Sequence, residues 1–241
     1  MDFYGKTDIG AVRRENQDFF VNTVLGDNTV LSVVCDGMGG ANAGNIASEM
    51  AANTVSQYVK SSYNPTMTSN AIEKLLRGAV STANIEIFDA ANKNTDYRGM
   101  GTTIVAALVK NNIAYIVHVG DSRAYLITTD EIKQITKDHS IVQSLLESEE
   151  ITPEQAKSHP RKNVITRAVG IYDTVEVDFN ELDIEKGILL MCTDGLSGTL
   201  SEKEIKQIAL NGELNSVPDI LINKAIENTS SDNITVTVIS F

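Results

Sequence analysis

The chain has little cysteine and histidine, and it lacks long hydrophobic runs. Its two cysteines, Cys35 and Cys192, stand in apolar stretches with no Cys-x-x-Cys spacing and no supporting histidine. We therefore expect buried, reduced thiols that neither ligate a metal nor act as nucleophiles. No apolar segment reaches the length that crosses a bilayer, and residues 1–10 lack the pattern of a signal peptide. These absences predict a cytoplasmic protein, although a domain of a longer membrane protein would look the same.

Positive charge is also scarce, because 20 basic residues face 32 acidic ones and give a net charge of −12. A nucleic-acid partner would need a basic face, so the composition argues against one. The 241 residues are 42% hydrophobic, which is enough for one sizeable core. No linker, solenoid repeat or low-complexity segment interrupts them. We expect a single domain over residues 1–241 and a monomer.

The chain does contain apolar stretches that end in an aspartate beside a glycine. Residues 31–35 lead to Asp36-Gly37, residues 188–192 lead through Thr193 to Asp194-Gly195, and residues 115–119 lead to Gly120-Asp121. A single Asp-Gly pair is usually a plain turn. Three of them at predicted strand ends indicate carboxylates delivered to a sheet edge, with glycine permitting close approach of the backbone.

Two more aspartates join this set. Asp18 follows Glu15-Asn16-Gln17, and Asp232 precedes the apolar segment 234–240. In an antiparallel sheet the end of one strand lies beside the start of its neighbour, so all five carboxylates can meet at one edge. Oxygen ligands without histidine or cysteine favour magnesium, manganese or calcium over zinc. The sequence therefore predicts a carboxylate-lined metal site.

Hydrophobic periodicity predicts runs of strands interrupted by pairs of helices. The predicted strands cover residues 3–9, 19–25, 29–35, 102–110, 113–119, 123–128, 175–180, 188–193 and 234–240, with a turn at 26–28. The predicted helices cover residues 43–60, 70–92, 201–210 and 217–228. We interpret His118 as a structural residue in its strand and His139 as a local hydrogen-bonding residue.

One segment breaks this rhythm. Residues 141–167 mix short helical pieces with Pro153 and Pro160 and carry three basic residues, Lys157, Arg161 and Lys162. We interpret the segment, at about 140–168, as a flap beside the site that contacts substrate. The alternative is an irregular surface insertion without a role.

Six motifs follow one another along the chain: Arg13-Arg14-Glu15-Asn16-Gln17-Asp18, Asp36-Gly37-Met38-Gly39-Gly40, Gly101-Thr102-Thr103, Gly120-Asp121-Ser122-Arg123, Thr193-Asp194-Gly195 and Asp232-Asn233. In this order they resemble the metal-dependent protein phosphatases of type 2C, in the bacterial variant. The resemblance spans residues 7–238. It implies an α+β fold, a four-layer αββα sandwich of two mainly antiparallel sheets flanked by helix pairs. It also implies a protein serine/threonine phosphatase, in which water or hydroxide bridging two metals attacks the phosphoryl group.

The resemblance assigns roles to individual residues. Asp36 would bridge two Mn²⁺ or Mg²⁺ ions, and Gly37 would bind one of them through its carbonyl oxygen. Asp194 and Asp232 would complete the protein ligands of the other ion. Asp121, with Asp194, would hold a third ion. Around them, Asp18 and Gln17 would hold metal-bound waters, Arg13 would bind the substrate phosphate, and Asn233 and Thr103 would orient neighbouring groups.

The chain departs from the family at two positions. Met38 stands where eukaryotic relatives have a histidine proposed to protonate the leaving group, and Ala41 stands where many bacterial relatives have a histidine. The leaving alkoxide would then take its proton from metal-bound water. Activity is therefore a firmer expectation for aryl phosphates, which have better leaving groups, than for seryl phosphate.

The resemblance further implies phosphorylated proteins as partners, including a bacterial Ser/Thr kinase. Two other classes of protein share parts of the pattern. A catalytically silent phosphoprotein-binding or scaffold domain should have lost at least one core aspartate, and this chain keeps all five. A calcium-binding structural protein would favour a local Asp-x-Asp-x-Asp loop, and the sequence has none. Metal-dependent hydrolysis of a phosphoryl substrate separates the phosphatase from both.

Overall fold

Two antiparallel sheets form the centre of the molecule. The structure is a computed structural model and describes residues 1–26, 28–39 and 43–241. Within these residues, the first sheet orders its strands β1-β11-β10-β7-β8. The strands are β1 (Phe3–Asp8), β7 (Arg123–Ile127), β8 (Ile132–Gln134), β10 (Ile188–Cys192) and β11 (Ile234–Ser240). The end of β10 lies beside the start of β11, because Cys192 pairs with Val236.

The second sheet orders its strands β2-β3-β5-β6-β9. They are β2 (Asp18–Gly26), β3 (Thr29–Met38), β5 (Ile104–Lys110), β6 (Ile113–Val119) and β9 (Asp178–Asp183), and the short β4 (Gly101–Thr102) pairs with the end of β3. In β2 and β3, Asp18 and Asp36 stand directly opposite each other. The predicted turn at 26–28 includes Asp27, which lies outside the described residues.

Helices cover the outer face of each sheet. The second sheet carries α1 (Gly44–Ser62) and α2 (Ser69–Lys93), while the first carries α6 (Glu202–Asn211) and α7 (Val217–Glu227). The remaining helices are short: α3 (Ile141–Glu147), α4 (Pro153–Lys157), α5 (Asp194–Ser197) and a 3₁₀ turn at Thr95–Tyr97. The predicted helix pairs are confirmed to within a few residues at each end.

Three apolar layers hold the four structural layers together. Alternate residues of β3 serve two of them: Val33 packs under α1 and α2, whereas Val34 packs between the sheets against residues such as Leu189 of β10. The third layer joins Val236 of β11 to Leu221 of α7. This is the αββα sandwich that the family resemblance implies. The middle layer covers the inner faces of both sheets, and each of the other two covers one outer face.

Strand boundaries differ from the prediction in several places. The strand predicted at 29–35 continues to Met38, because Gly37 and Met38 pair with β4. The strand predicted at 102–110 is interrupted at Thr103, whose N–H donates to the carbonyl of Asp36 at 2.8 Å. The strand predicted at 175–180 instead covers Asp178–Asp183, and β8 was not predicted. Strand β8 pairs with the preceding strand β7, whereas the other boundaries are determined by pairing with segments distant in the chain.

The predicted flap, residues 141–167, forms a closed excursion from the sandwich. Its ends are joined by backbone hydrogen bonds from Ile141 to Val164 at 3.0 Å and from Thr166 to His139 at 2.8 Å. Within it, α3 is capped by the side chain of Ser140, and α4 by a capping box at Thr152. The segment is therefore an ordered lobe built on its own helices.

The cysteines and the helices agree with what the composition predicts. Cys35 and Cys192 are both unpaired and buried in strands, as predicted. Across the described ranges, every helix is too short or too polar to span a membrane.

Candidate metal centre

The carboxylates of four predicted residues line one open cavity of about 300 Å³. They are Asp36, Asp121, Asp194 and Asp232, and the cavity wall also contains Arg13, Gln17, Gly37, Met38, Thr103, Asn163, Ile165 and Asn233. The fifth aspartate, Asp18, is buried behind them with 5% of its surface exposed. The predicted convergence of strand-end carboxylates at one edge is therefore present in the fold.

Asp36 lies in the last part of β3 and is held by Thr103. The Asp36 N–H donates to the Thr103 hydroxyl at 3.0 Å, and the Thr103 N–H donates back to the Asp36 carbonyl at 2.8 Å. The same hydroxyl lies 2.7 Å from the hydroxyl of Ser122, beside Asp121. Thr103 thus fixes the backbone at Asp36 and links it to the loop that carries Asp121.

Gly37 occupies a position that no other residue fits. Its N–H donates to the carbonyl of Gln17 at 3.0 Å, and a Cβ at this position would press on the carbonyl oxygens of Gly44 and Gln17. The close approach of three backbone segments therefore requires glycine. Gly37 also lines the cavity.

Asp194 and Asp232 meet because β10 and β11 are antiparallel. Asp194 opens α5 just after β10, and Asp232 stands just before β11. The two strands are tied at this edge by the Thr193 N–H, which donates to the Thr235 carbonyl at 3.1 Å. Asn233 then holds the N-terminal loop through hydrogen bonds from its side-chain amide to the carbonyls of Ile9 and Glu15, both at 2.9 Å.

Asp18 joins the two sheets at the base of the site. Its Oδ2 accepts hydrogen bonds from the hydroxyls of Thr193 and Thr235, both at 2.8 Å. Its Oδ1 is buried and has no hydrogen-bond partner among the described residues. Burial raises the pKa of Asp18 to about 7, and the charges of Asp194 and Asp232 add to the effect while the two hydroxyls oppose it.

The carboxylates in the cavity repel one another. Burial raises the pKa of Asp36 well above its usual range, and the charges of Asp18 and Asp194 raise it further. Burial raises the pKa of Asp121 to about 7, with a further contribution from Asp194. Burial and the charge of Asp232 raise the pKa of Asp194 to about 6, although the cations of Arg13 and Arg123 act in the opposite sense. Bound cations would stabilise this concentration of negative charge.

Arg13 lies at the mouth of the cavity with half of its side chain exposed. Its Nη2 contacts Asp232 Oδ2 at 2.6 Å, and its Nε donates to the carbonyl of Ser231 at 3.2 Å. The hydrogen bond with the Asp232 carboxylate is the main cause of the raised pKa of Arg13. The guanidinium therefore reaches the carboxylates directly and presents its exposed edge to solvent.

Comparison with known proteins agrees with this geometry. The family model for protein phosphatase 2C matches residues 11–218. The chain belongs to the protein phosphatase 2C family. It is 39% identical over 239 residues to the serine/threonine phosphatase stp of Listeria monocytogenes, covering 97% of this chain and 93% of that protein. It is 36% identical over 237 residues to protein phosphatase PhpP of Streptococcus pneumoniae, covering 97% and 95%.

Solved structures of bacterial phosphatases share the fold of this phosphatase. The serine/threonine phosphatase Stp1 of Staphylococcus aureus superposes with a TM-score of 0.94 at 35% identity, covering 100% of this chain and 94% of that one. The serine/threonine phosphatase PstP/Ppp of Mycobacterium tuberculosis superposes with a TM-score of 0.89 at 33% identity, covering 98% and 97%. The chain is an enzyme of the protein serine/threonine phosphatase class.

The family depends on metal ions, and the cavity of this phosphatase fits them. Among the described residues, the buried oxygens Asp18 Oδ1 and Asp194 Oδ1 have no hydrogen-bond partner. The donor atoms around the cavity are carboxylate and carbonyl oxygens, which suit hard divalent cations. Such cations would offset the repulsion that raises the carboxylate pKa values.

A second group of possible ligands lies outside this cavity. One ligand atom from each of His118, His139 and Asp178 lies within 4.8 Å of the others. However, Arg167 Nη1 is already 2.8 Å from Asp178 Oδ1 and 3.2 Å from His139 Nε2. A permanent cation thus takes the place that a metal ion would need, and we assign the group to hydrogen bonding. The sequence indicated the carboxylates but not this group, because His118 and Asp178 stand within strands and carry no local motif.

Proposed function

We propose that this phosphatase removes phosphate from phosphoserine and phosphothreonine in proteins by using divalent cations, Mn²⁺ or Mg²⁺, at the carboxylate cavity. Asp36 would contact two ions and Gly37 would contribute its carbonyl oxygen to one. Asp194 and Asp232 would ligate the other, and Asp121 with Asp194 would hold a third. The single observation that carries the proposal is the convergence of these carboxylates at one open cavity, where Asp194 Oδ1 is buried without a hydrogen-bond partner among the described residues.

When bound, the cations supply an activated water and offset the negative charge that develops on the phosphoryl oxygens. The protein residues hold and orient the substrate. The exposed edge of Arg13 is suited to bind phosphoryl oxygens, because a guanidinium recognises them with two parallel hydrogen bonds. Two threonine hydroxyls fix Asp18, and its other oxygen, which has no hydrogen-bond partner in the part of the chain that the structure describes, would accept from water at the base of the site. Gln17, on the cavity wall, would help to hold these waters.

The cavity offers no histidine to protonate the leaving group at the positions found in relatives. Met38 lines the wall where eukaryotic relatives carry the acid, and Ala41 lies outside the described residues. Water held in the site would then supply the proton. We expect aryl phosphates, whose leaving groups need less assistance, to be hydrolysed faster than seryl phosphate.

Phosphate release from a phosphothreonine peptide tests this function. The purified protein should release phosphate with Mn²⁺ present, stop when the ion is chelated, and resume when Mn²⁺ is restored. A silent phosphoprotein-binding domain, the alternative function, would bind the same peptide without releasing phosphate. Release that continues at full rate in excess chelator would contradict the proposed chemistry.

The biological partners follow from the same proposal. Phosphorylated proteins would be the substrates, including a bacterial Ser/Thr kinase whose phosphorylation this enzyme opposes, and the enzyme would act as a monomer. The proposal includes a cytoplasmic location. Its support is the pair of unpaired, buried thiols Cys35 and Cys192, which suit a reducing compartment.

The third ion can be separated from the first two. In Asp121→Ala two ions should remain tightly bound, because Asp36, Asp194 and Asp232 are unchanged. Turnover should fall roughly tenfold, which corresponds to about 1.4 kcal/mol of barrier. Calorimetric titration with Mn²⁺ and the rate on an aryl phosphate measure the two effects. A fall to one or no bound ion would show that Asp121 belongs to the first pair.

The flap can be tested as a substrate-selecting element. Lys157 and Lys162 line a second cavity of about 300 Å³ that shares Asp121 and Asp194 with the first. Replacing both lysines with alanine should change the relative kcat/KM among phosphopeptides with different flanking charges by about tenfold. Hydrolysis of a small aryl phosphate should stay nearly constant, since neither Lys157 nor Lys162 lines the cavity that contains Asp36.

A matched control removes the same charge elsewhere. Lys60 and Lys203 are exposed on α1 and α6. Replacing both with alanine should therefore leave the hydrolysis of both substrates unchanged. Equal losses on peptide and aryl phosphate in the Lys157/Lys162 variant would count against substrate selection. In that case the alternative interpretation, a surface insertion without a role in selection, would hold.

A further inference from the structure

His139 makes two hydrogen bonds to the residue that precedes Asp121. The His139 N–H donates to the Gly120 carbonyl at 2.9 Å, and the Gly120 N–H donates to His139 Nδ1 at 3.1 Å. The imidazole is 8% exposed and stacks on His118, with ring centroids 4.7 Å apart and planes 14° from parallel. His139 therefore holds Gly120 at both its N–H and its carbonyl.

These contacts determine which imidazole nitrogen carries the proton. Because Nδ1 accepts from Gly120, the ring hydrogen is on Nε2. Nε2 lies 3.3 Å from Asp178 Oδ2 and 3.2 Å from Arg167 Nη1. Because a guanidinium cannot accept a hydrogen bond, the Nε2–H donates to the Asp178 carboxylate, which orients the ring. This is the arrangement in which a carboxylate orients a histidine that in turn holds a functional group.

Gly120 has little freedom to compensate if that support is lost. Its φ is +104°, and a Cβ there would overlap the side chain of Thr103. The next two residues are Asp121, on the cavity wall, and Ser122, which is bonded to Thr103. A shift of the Gly120 peptide would therefore move the Asp121 carboxylate relative to Asp36, whose backbone Thr103 holds.

Asp178 also connects this support to the end of the flap. Arg167 Nη1 lies 2.8 Å from Asp178 Oδ1, and Arg167 Nη2 lies 3.0 Å from Glu176 Oε2. The neighbouring Thr166 N–H donates to the His139 carbonyl at 2.8 Å. The last residues of the flap and the loop before Asp121 therefore share one anchor, the Asp178–His139 pair.

We propose that His139 is a positioning residue for Asp121, acting through its Nδ1 bond to Gly120, with Asp178 holding the imidazole in place. The inference rests on the proposed function, because it assigns to Asp121 the third divalent cation. It predicts that binding of the third ion requires a hydrogen-bond acceptor at the Nδ1 position of residue 139, whereas binding of the first two ions does not.

Three substitutions separate the two ends of the imidazole. His139→Asn places an amide oxygen near the position of Nδ1, so it keeps an acceptor for Gly120 and loses the bond to Asp178. His139→Gln reaches the position of Nε2 and removes the Gly120 acceptor. His139→Ala removes both. The affinity for the third Mn²⁺ should fall by about 10- to 100-fold in the Gln and Ala variants and by less than about threefold in the Asn variant.

Asp178→Ala with a matched control tests the second half of the anchor. Asp178 and Glu176 both contact Arg167, but only Asp178 contacts His139. Asp178→Ala should weaken the binding of the third ion and accelerate amide hydrogen exchange in residues 141–167, while Glu176→Ala should change neither. Asp178 is partly exposed and Glu176 largely exposed, so both variants are expected to fold, and thermal unfolding in chelator verifies this.

Calorimetric Mn²⁺ titration is the deciding measurement, with the first two ions as an internal reference. Third-ion affinity as weak in His139→Asn as in His139→Ala would overturn the inference, and so would affinity unchanged in all three variants. A wild-type protein that binds only two ions would overturn it as well, while leaving phosphopeptide hydrolysis and the proposed function intact. Loss of the function itself would appear differently, as a wild-type protein with no metal-dependent phosphate release.

Discussion

Asp36→Asn should abolish turnover and weaken the binding of the first two metal ions together. Asp36 is the carboxylate that burial and the charges of Asp18, Asp194, Asp121 and Asp232 all act upon, so it lies at the centre of the group. Losing its charge should reduce turnover by roughly 1000-fold or more, equivalent to about 4 kcal/mol of transition-state stabilisation. Phosphate release and Mn²⁺ calorimetry measure both effects.

The same substitution should stabilise the metal-free protein, although it abolishes turnover. The amide that replaces the Asp36 carboxylate carries no charge, so the repulsion with the neighbouring carboxylates is relieved. The melting temperature in chelator should rise by about 2–4 °C for each kcal/mol of repulsion removed. A gain in stability together with a loss of function distinguishes a charged binding site from a structural core residue, whose loss would reduce both.

Two control substitutions make this result specific. Asp232→Asn should impair mainly one of the two ions, because it lies on one side of the cavity beside Arg13. Asp130→Asn, at an exposed turn, should affect neither metal binding nor turnover. If Asp36→Asn binds two ions and turns over as the wild type does, the assignment of Asp36 is wrong.

The metal-free protein should become less stable as the pH rises from about 4 to about 7. Burial raises the pKa of Asp18 and of Asp121 from 3.8 to about 7, and burial raises that of Asp194 to about 6. Between the unfolded and folded pKa values the folded state holds more protons, so raising the pH favours unfolding.

Thermal unfolding at a series of pH values, in chelator and in excess Mn²⁺, measures this dependence. Asp18→Asn and Asp121→Asn should each flatten the curve in chelator, since each removes one of the groups that titrate in the window. In Mn²⁺ the stability should instead rise with pH, because the ions bind the deprotonated carboxylates. Stability that increases with pH in chelator between 4 and 7 would show that the carboxylates are not mutually destabilised.

The position of the carboxylates could be predicted from the sequence because it depends on local pattern. Apolar stretches that end at Asp36, Asp121 and Asp194 must place those residues at strand ends, and antiparallel pairing brings in Asp232. The glycine at position 37 likewise follows from the close approach of backbones at the site. The strand-end placement is local, whereas the meeting of Asp194 with Asp232 also requires β10 and β11 to be neighbours.

The supporting contacts could not be predicted because they join segments far apart in the chain. The hydroxyls of Thr193 and Thr235 hold Asp18 across the two sheets, and the pairing of Gly37 with Thr102 extends β3 past Asp36. The register of β9 with β6 places Asp178 opposite His118. None of these residues carries a local signal that separates it from an ordinary strand residue, so tertiary packing decides their role.

Anomalous diffraction from crystals grown with Mn²⁺ tests the central assignment most directly, because it locates the ions. We predict two strong peaks at the cavity, both against Asp36, one of them also against the Gly37 carbonyl and the other against Asp194 and Asp232. A third, weaker peak should lie between Asp121 and Asp194. Strong peaks at His118, His139 and Asp178 with none beside Asp36 would contradict the account.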